Sequence, residues 1–172
     1  MAENVSYKID ELTPLHSAAY LDYLLKKIRS AKKSIYAMIF IVDPRPFYDV
    51  NLNVRAIFAA LSEAREKGVD VKVIVGTSDS DSIYLSCYVA REFFKHLAIS
   101  VKTYQSTKES LHSKLVVIDD NISVLGSPNW TEGGLGRHIE DSVGIKSKTI
   151  NKYLKTRFLK LWESSEQEER DE

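Results

Sequence analysis

Cysteine is almost absent from this sequence. Cys87 is the single one among 172 residues, so no internal disulfide can form and a disulfide-stapled scaffold is excluded. A reducing, cytoplasmic setting is the expectation that follows. Long apolar runs are missing too. The longest, from Ile35 to Val42, falls far short of the roughly 20 residues a helix needs to cross a bilayer. The opening residues, MAENVSYKID, place no apolar segment behind a basic start, so no secretory signal is expected. There is no Pro- or Gly-rich linker, and the four prolines, Pro14, Pro44, Pro46 and Pro128, stand between periodic segments rather than inside them.

What is present fits one globular domain. Hydrophobic residues make up 44% and charged residues 28%, enough apolar material for a core. Net charge is zero, but the sign is unevenly spread. Residues 163–172 hold six acidic residues and one arginine, which leaves 23 basic against 18 acidic residues over residues 1–162. We therefore expect a mildly basic domain over residues 1–162, compatible with a polyanionic partner, and an acidic, disordered tail over 163–172.

Periodicity supplies the element order. Apolar residues at helical spacing predict helices over about 15–31, 54–67 and 82–97, and from Lys148 onward. In the last of these, Ile150, Tyr153, Leu154, Phe158, Leu161 and Trp162 share a stripe expected to pack on a sheet. Strands are predicted over about 34–42, 69–75, 99–104, 111–118, 123–125 and 140–145. Strand and helix alternate first, and a strand-rich half follows. This order suits an α/β domain with a mixed, mainly parallel β-sheet flanked by helices on both faces.

Chemistry concentrates in Leu111–Thr131, LHSKLVVIDDNISVLGSPNWT. Strand alternation puts His112 and Lys114 on one face, an expensive pairing for a core strand unless both have partners. Asp119 closes that strand, and a tight return through Asn121 leads to Gly126, Ser127 and Asn129. A hairpin would bring Ser127 and Asn129 to the His112/Lys114 end. An imidazole, an ammonium, a hydroxyl and an amide around one small volume suit chemistry on a phosphate ester.

The run His112-x-Lys114-x4-Asp119, followed by Gly126-Ser127-x-Asn129, resembles the HKD signature of the phospholipase D superfamily, in its short branch with one motif per chain. The resemblance implies a phospholipase D-like fold and a metal-independent phosphodiesterase with no cofactor. It implies that His112 attacks phosphorus to form a phosphohistidine, and that a second His112, from the other subunit of a homodimer, protonates the leaving oxygen. Nucleophile and acid need opposite protonation states, which two imidazoles can hold at once. Lys114, Ser127 and Asn129 would bind the non-bridging oxygens. Glu140 would accept from the histidine's Nδ1–H, and Asp119 and Gly126 would support the motif structurally.

Further candidates are weaker. Arg137 and His138 are read as substrate contacts at the mouth of the site. His138 and Glu140 supply only two of the three or four ligands a zinc site needs, so no metal is expected. Arg45, beside Phe47 and Tyr48, is a possible contact to single-stranded nucleic acid. The preferred substrate is DNA or RNA, cleaved as by an endonuclease. A lipid such as cardiolipin is the second reading, and a nucleic-acid-binding module without turnover is the third.

Overall fold

Six consecutive buried residues, Ser34–Ile39, set the middle of the structure. The computed structural model describes residues 6–44, 52–104 and 109–165. The strands in chain order are β1 (Glu11–His16), β2 (Ser34–Ile39), β3 (Asp70–Val75), β4 (Ser100–Thr103), β5 (Lys114–Ile118), β6 (Ile122–Gly126) and β7 (Asp141–Lys146). The helices are α1 (Ala18–Ser30), α2 (Leu52–Glu66), α3 (Asp81–His96) and α4 (Lys148–Ser164), with one π-helical turn at Gly133–Arg137.

The seven strands form a single sheet in the order β1-β7-β6-β5-β2-β3-β4. Strands β2, β3 and β4 run parallel, joined by the crossover helices α2 and α3. Strands β5, β6 and β7 continue as an antiparallel meander from the other side of β2, and β1 closes the edge antiparallel to β7. The sheet is mixed and covered on both faces. Its balance differs from the expected mainly parallel arrangement, because only the two outermost ladders on one side are parallel. The short turn at Asp119–Asn121 explains this, since a two- or three-residue return can join only antiparallel neighbours.

Alternation along β2 divides the core. Ile35, Ala37 and Ile39 face α1, α2 and α3, where Leu24, Ile28, Ile57, Leu61 and Phe94 are fully buried. Tyr36 and Met38 face α4, with Ile74, Leu115 and Val117 beside them and the Phe158 ring stacked on Tyr36 at 4.9 Å. Strand β2 is apolar throughout because both faces are covered. The α4 stripe packs as its spacing predicts, except at Tyr153. That residue is exposed and lies against Tyr7, 5.8 Å away.

Two stretches depart from the expected elements. Residues 11–16 form β1, whereas Leu15 was assigned to the first helix. Only Leu15 is buried in this strand, so it lacks a period-two pattern, and its Pro14 is tolerable at a sheet edge. Helix α4 runs on to Ser164, past the expected start of the tail at Glu163. Lys102 caps that end: its Nζ donates to the carbonyls of Trp162 (2.8 Å) and Ser165 (3.1 Å). Arg45, Phe47, Tyr48 and residues 166–172 lie outside the described residues.

Candidate active site

The ends of five strands meet along one side of the sheet. Ile39 pairs with Lys114, and Phe40 N–H donates to the Ser113 carbonyl at 3.0 Å, which prolongs the β2–β5 ladder toward His112. Gly126 pairs with Ser142, and Ser127 N–H donates to the Asp141 carbonyl at 3.1 Å, so β6 and β7 reach the same edge. The parallel strands β2 and β3 also end there. Ligands in open α/β sheets gather at such carboxyl ends.

His112 is exposed, just ahead of β5, while Lys114 is only 7% exposed. The Lys114 Nζ lies 3.1 Å from His112 Nδ1, donates to the His112 carbonyl at 3.1 Å, and sits 5.3 Å above the Phe40 ring. The same Phe40 ring lies 4.7 Å from the imidazole. An ammonium so enclosed is poorly hydrated. Burial pushes Lys114 below the usual lysine value of 10.5, and the negative charge of Glu140 opposes that shift. The sign gives an expected result. As pH rises, Lys114 loses its charge before an ordinary lysine does, and Glu140→Gln lowers its midpoint further. Titration of the Lys114 side chain by carbon NMR checks this, and a midpoint at or above 10.5 would contradict it.

Asn129 is fixed from behind. Its Oδ1 accepts from Ile41 N–H at 3.1 Å, which orients the amide and leaves Nδ2 as a donor without a partner among the described residues. Trp130 follows, fully buried, bridging to Val42 and donating its indole N–H to the Tyr20 hydroxyl at 3.2 Å. Two glycines allow the close approaches this needs. A Cβ on Gly126 would stand 2.5 Å from Ser142 Cβ, and one on Gly134 would stand 2.5 Å from the Asn129 carbonyl oxygen. The Gly133–Arg137 segment is thus a π-helical turn packed on the Asn129 backbone.

Glu140 meets Ser127 and His138 rather than His112. The Ser127 hydroxyl donates to Glu140 Oε2, and His138 Nδ1 lies 3.7 Å from Oε1. The register accounts for this. With Gly126 opposite Ser142, Ser127 falls opposite Asp141 and beside Glu140. The Ser127 hydroxyl is therefore engaged within the chain, unlike the Nδ2 of Asn129. Arg137 is exposed and pairs with Glu132 at 3.2 Å.

Asp119 stands at the opposite end of β5, five residues from Lys114, a span of roughly 16 Å. Its carboxylate accepts from the backbone N–H groups of Lys32 (3.0 Å), Lys33 (2.7 Å) and Ser34 (3.1 Å). It ties the β5–β6 turn to the entry of β2 and does not reach the cluster around His112. Phe40 was missed in the sequence because it sits inside the continuous run 34–42, where nothing marks it from its core neighbours. Among the described residues no three His, Cys, Asp or Glu side chains gather as a metal ion would require.

Comparison with known proteins adds the following. The family model described as "Cardiolipin synthase, PLD-like domain" matches residues 24–162. The probable cardiolipin synthase YwiE of Bacillus subtilis is 26% identical over 161 residues, covering 93% of this chain and 30% of its own length. Cardiolipin synthase 1 of Staphylococcus epidermidis is 28% identical over 166 residues, covering 94% and 31%. The chain thus spans under a third of the length of these curated relatives. Among solved structures, Nuc from Salmonella typhimurium, described as a phospholipase D family member, superposes with a TM-score of 0.75 at 21% identity, over 91% of this chain and 96% of that one. NucT from Helicobacter pylori gives 0.73 at 20%, over 90% and 98%. These two likenesses bear on the fold.

Proposed function

The chain belongs to the phospholipase D-like domain family of phosphodiesterases, and from that membership we propose that it cleaves nucleic-acid phosphodiesters through His112 without a metal ion. One observation carries the reading. An exposed imidazole touches a buried ammonium at a sheet edge where the Asn129 amide also presents a free donor.

In the proposed reaction, His112 Nε2 attacks phosphorus. An N–P bond forms as the bond to the leaving oxygen breaks, and that oxygen takes a proton from a second imidazole. Water then attacks phosphorus and gives its proton to the same second imidazole, and the N–P bond breaks. This chain has one His-x-Lys, so the second imidazole is His112 of another copy in a symmetric dimer. Lys114 and Asn129 hold the non-bridging oxygens, each contributing about 2–4 kcal/mol to barrier lowering as preorganised donors do. Once substrate oxygens claim the Lys114 ammonium, Nδ1 of His112 is released from it. The ring can then carry its proton on Nδ1 and present a bare Nε2.

Nucleic acid is favoured over lipid by the surplus of basic residues over residues 1–162, among which Lys148 and Lys152 line one cavity along α4 beside the Lys155–Asp120 pair. The lipid reading has its own support in the names of the curated relatives, which are cardiolipin synthases. No helix among the described residues is long and apolar enough to cross a membrane.

A substrate panel in excess EDTA, with single- and double-stranded DNA, RNA and cardiolipin vesicles, tests both. Cleavage of DNA or RNA by a sedimenting dimer is the expected result. Cleavage that returns only with a divalent ion would contradict the histidine route. Lipid turnover with nucleic acid left intact would replace the substrate. An active monomer would transfer the acid role to His138, which stands beside Glu140.

A further inference from the structure

A cavity of about 340 Å³ opens on the α4 side of His112. Its size lies within the roughly 300–1,000 Å³ of small-ligand sites. Besides His112, it is lined by Tyr104 at the end of β4, Glu109 and Leu111 on the approach to β5, and Arg157 and Leu161 on α4. Arg157 and Leu161 are one helical turn apart, so both face the same space.

Arg157 is the feature that needs explaining. It is exposed and makes no ion pair or side-chain hydrogen bond among the described residues. On the same helix Lys155 is held, 3.5 Å from Asp120 and donating to the Ser34 hydroxyl. Lys148, Lys152 and Lys160 are unpaired among the described residues as Arg157 is, but Arg157 alone of the helix's basic residues lines this cavity. A guanidinium offers a planar fork of donors that matches phosphate. Glu109 also lines the cavity, its carboxylate accepting from the Tyr104 hydroxyl at 3.4 Å. An anion is disfavoured beside that carboxylate and favoured at Arg157. Leu111, Leu161 and the Tyr104 ring add apolar and aromatic surface of the kind a nucleobase covers.

Resting on the nuclease reading above, we propose that this cavity is a subsite for the nucleotide next to the scissile phosphate. Arg157 binds the neighbouring phosphate, and the base lies against Tyr104 and the two leucines. Because His112 forms one wall, a group seated here is one covalent step from the phosphorus under attack. The substrate class is then a chain with successive phosphates rather than an isolated diester. A lipid headgroup with a single phosphodiester would leave Arg157 unused, whereas cardiolipin, with two, would not, so cardiolipin is the lipid the test must include.

The test compares wild type with Arg157→Gln in EDTA at low salt on three substrates: a single-stranded decathymidylate, bis(p-nitrophenyl) phosphate, and cardiolipin vesicles. The ratio of variant to wild-type kcat/KM is expected to fall about tenfold further for the oligonucleotide than for the small diester, chiefly through KM, as loss of one charged phosphate contact predicts. An equal effect on both overturns the subsite, as does no effect on the oligonucleotide. A selective effect on vesicles would assign the cavity to lipid and also overturn it. If wild type cleaves no diester at all, the nuclease reading itself fails, and this outcome is distinct from the others. Arg157→Lys provides the check on simple damage: it is expected to restore part of the lost oligonucleotide affinity, because it keeps the charge without the fork.

Discussion

His112→Ala is expected to lower kcat for phosphodiester cleavage by about ten-thousand-fold or more while substrate binding changes by only a few-fold. In a symmetric dimer the substitution removes the nucleophile and the general acid together. General acid–base assistance alone is worth about 10²–10⁴, and loss of the attacking group adds to that. Lys114 and Asn129, the groups proposed to hold the phosphate oxygens, remain. The fold should be untouched, since the imidazole is exposed and its ring lies against Phe40 and Lys114, both of which stay in place. The check is single-turnover kinetics beside binding of a labelled oligonucleotide. Retention of more than about one per cent of the rate would remove His112 from the chemistry.

Asp119→Ala is expected to have the largest effect on stability, about 3 kcal/mol, with little change in kcat below the melting range. Three backbone N–H groups, those of Lys32, Lys33 and Ser34, converge on this carboxylate. Hydrogen bonds to a charged group are worth about 1.5–3 kcal/mol each. Partial exposure lets water replace some of that, so the total falls short of the sum. Asp119 also adopts a φ of 52°, a conformation that costs alanine about 1–2 kcal/mol. For a chain this size, 3 kcal/mol corresponds to a fall in Tm of roughly 6–12 °C. Asp119→Asn tolerates that φ and keeps one acceptor oxygen, so it should recover about half of the loss. Denaturant unfolding measures both variants. A loss below about 1 kcal/mol for the alanine variant would contradict the bracing role.

The same two residues show how far the sequence reached. The spacing His112-x-Lys114-x4-Asp119 is legible as a pattern, and β-strand geometry fixes the distance from Lys114 to Asp119. The expected strand over 111–118 begins only at Lys114, so His112 meets Lys114 from the approach to β5 rather than from the strand itself. The alternation of strand and helix up to β4 was readable for a similar reason, since each crossover element carries a clear period. Strand β1 was not, because an edge strand that buries only Leu15 leaves no alternation to find. The partner of Glu140 was also beyond reach. Whether it meets His112 or Ser127 depends on the β6–β7 register, and that register is set by the Gly126–Ser142 contact across chain segments. Phe40 was hidden by its own composition. An aromatic under an imidazole and an ammonium looks, in one dimension, like one more core residue. The free Arg157 was hidden likewise, because only the folding of α4 over the β5 approach brings it beside His112.

The central claim is that phosphorus passes through a bond to His112. Rapid quenching in strong base, which preserves phosphoramidates, followed by mass spectrometry of the His112 peptide, reads that bond directly. With a labelled oligonucleotide in EDTA, a nucleotidyl adduct on His112 should appear before product and vanish as turnover completes. Full turnover with an unmodified His112 peptide, or with the adduct on another residue, would contradict the account.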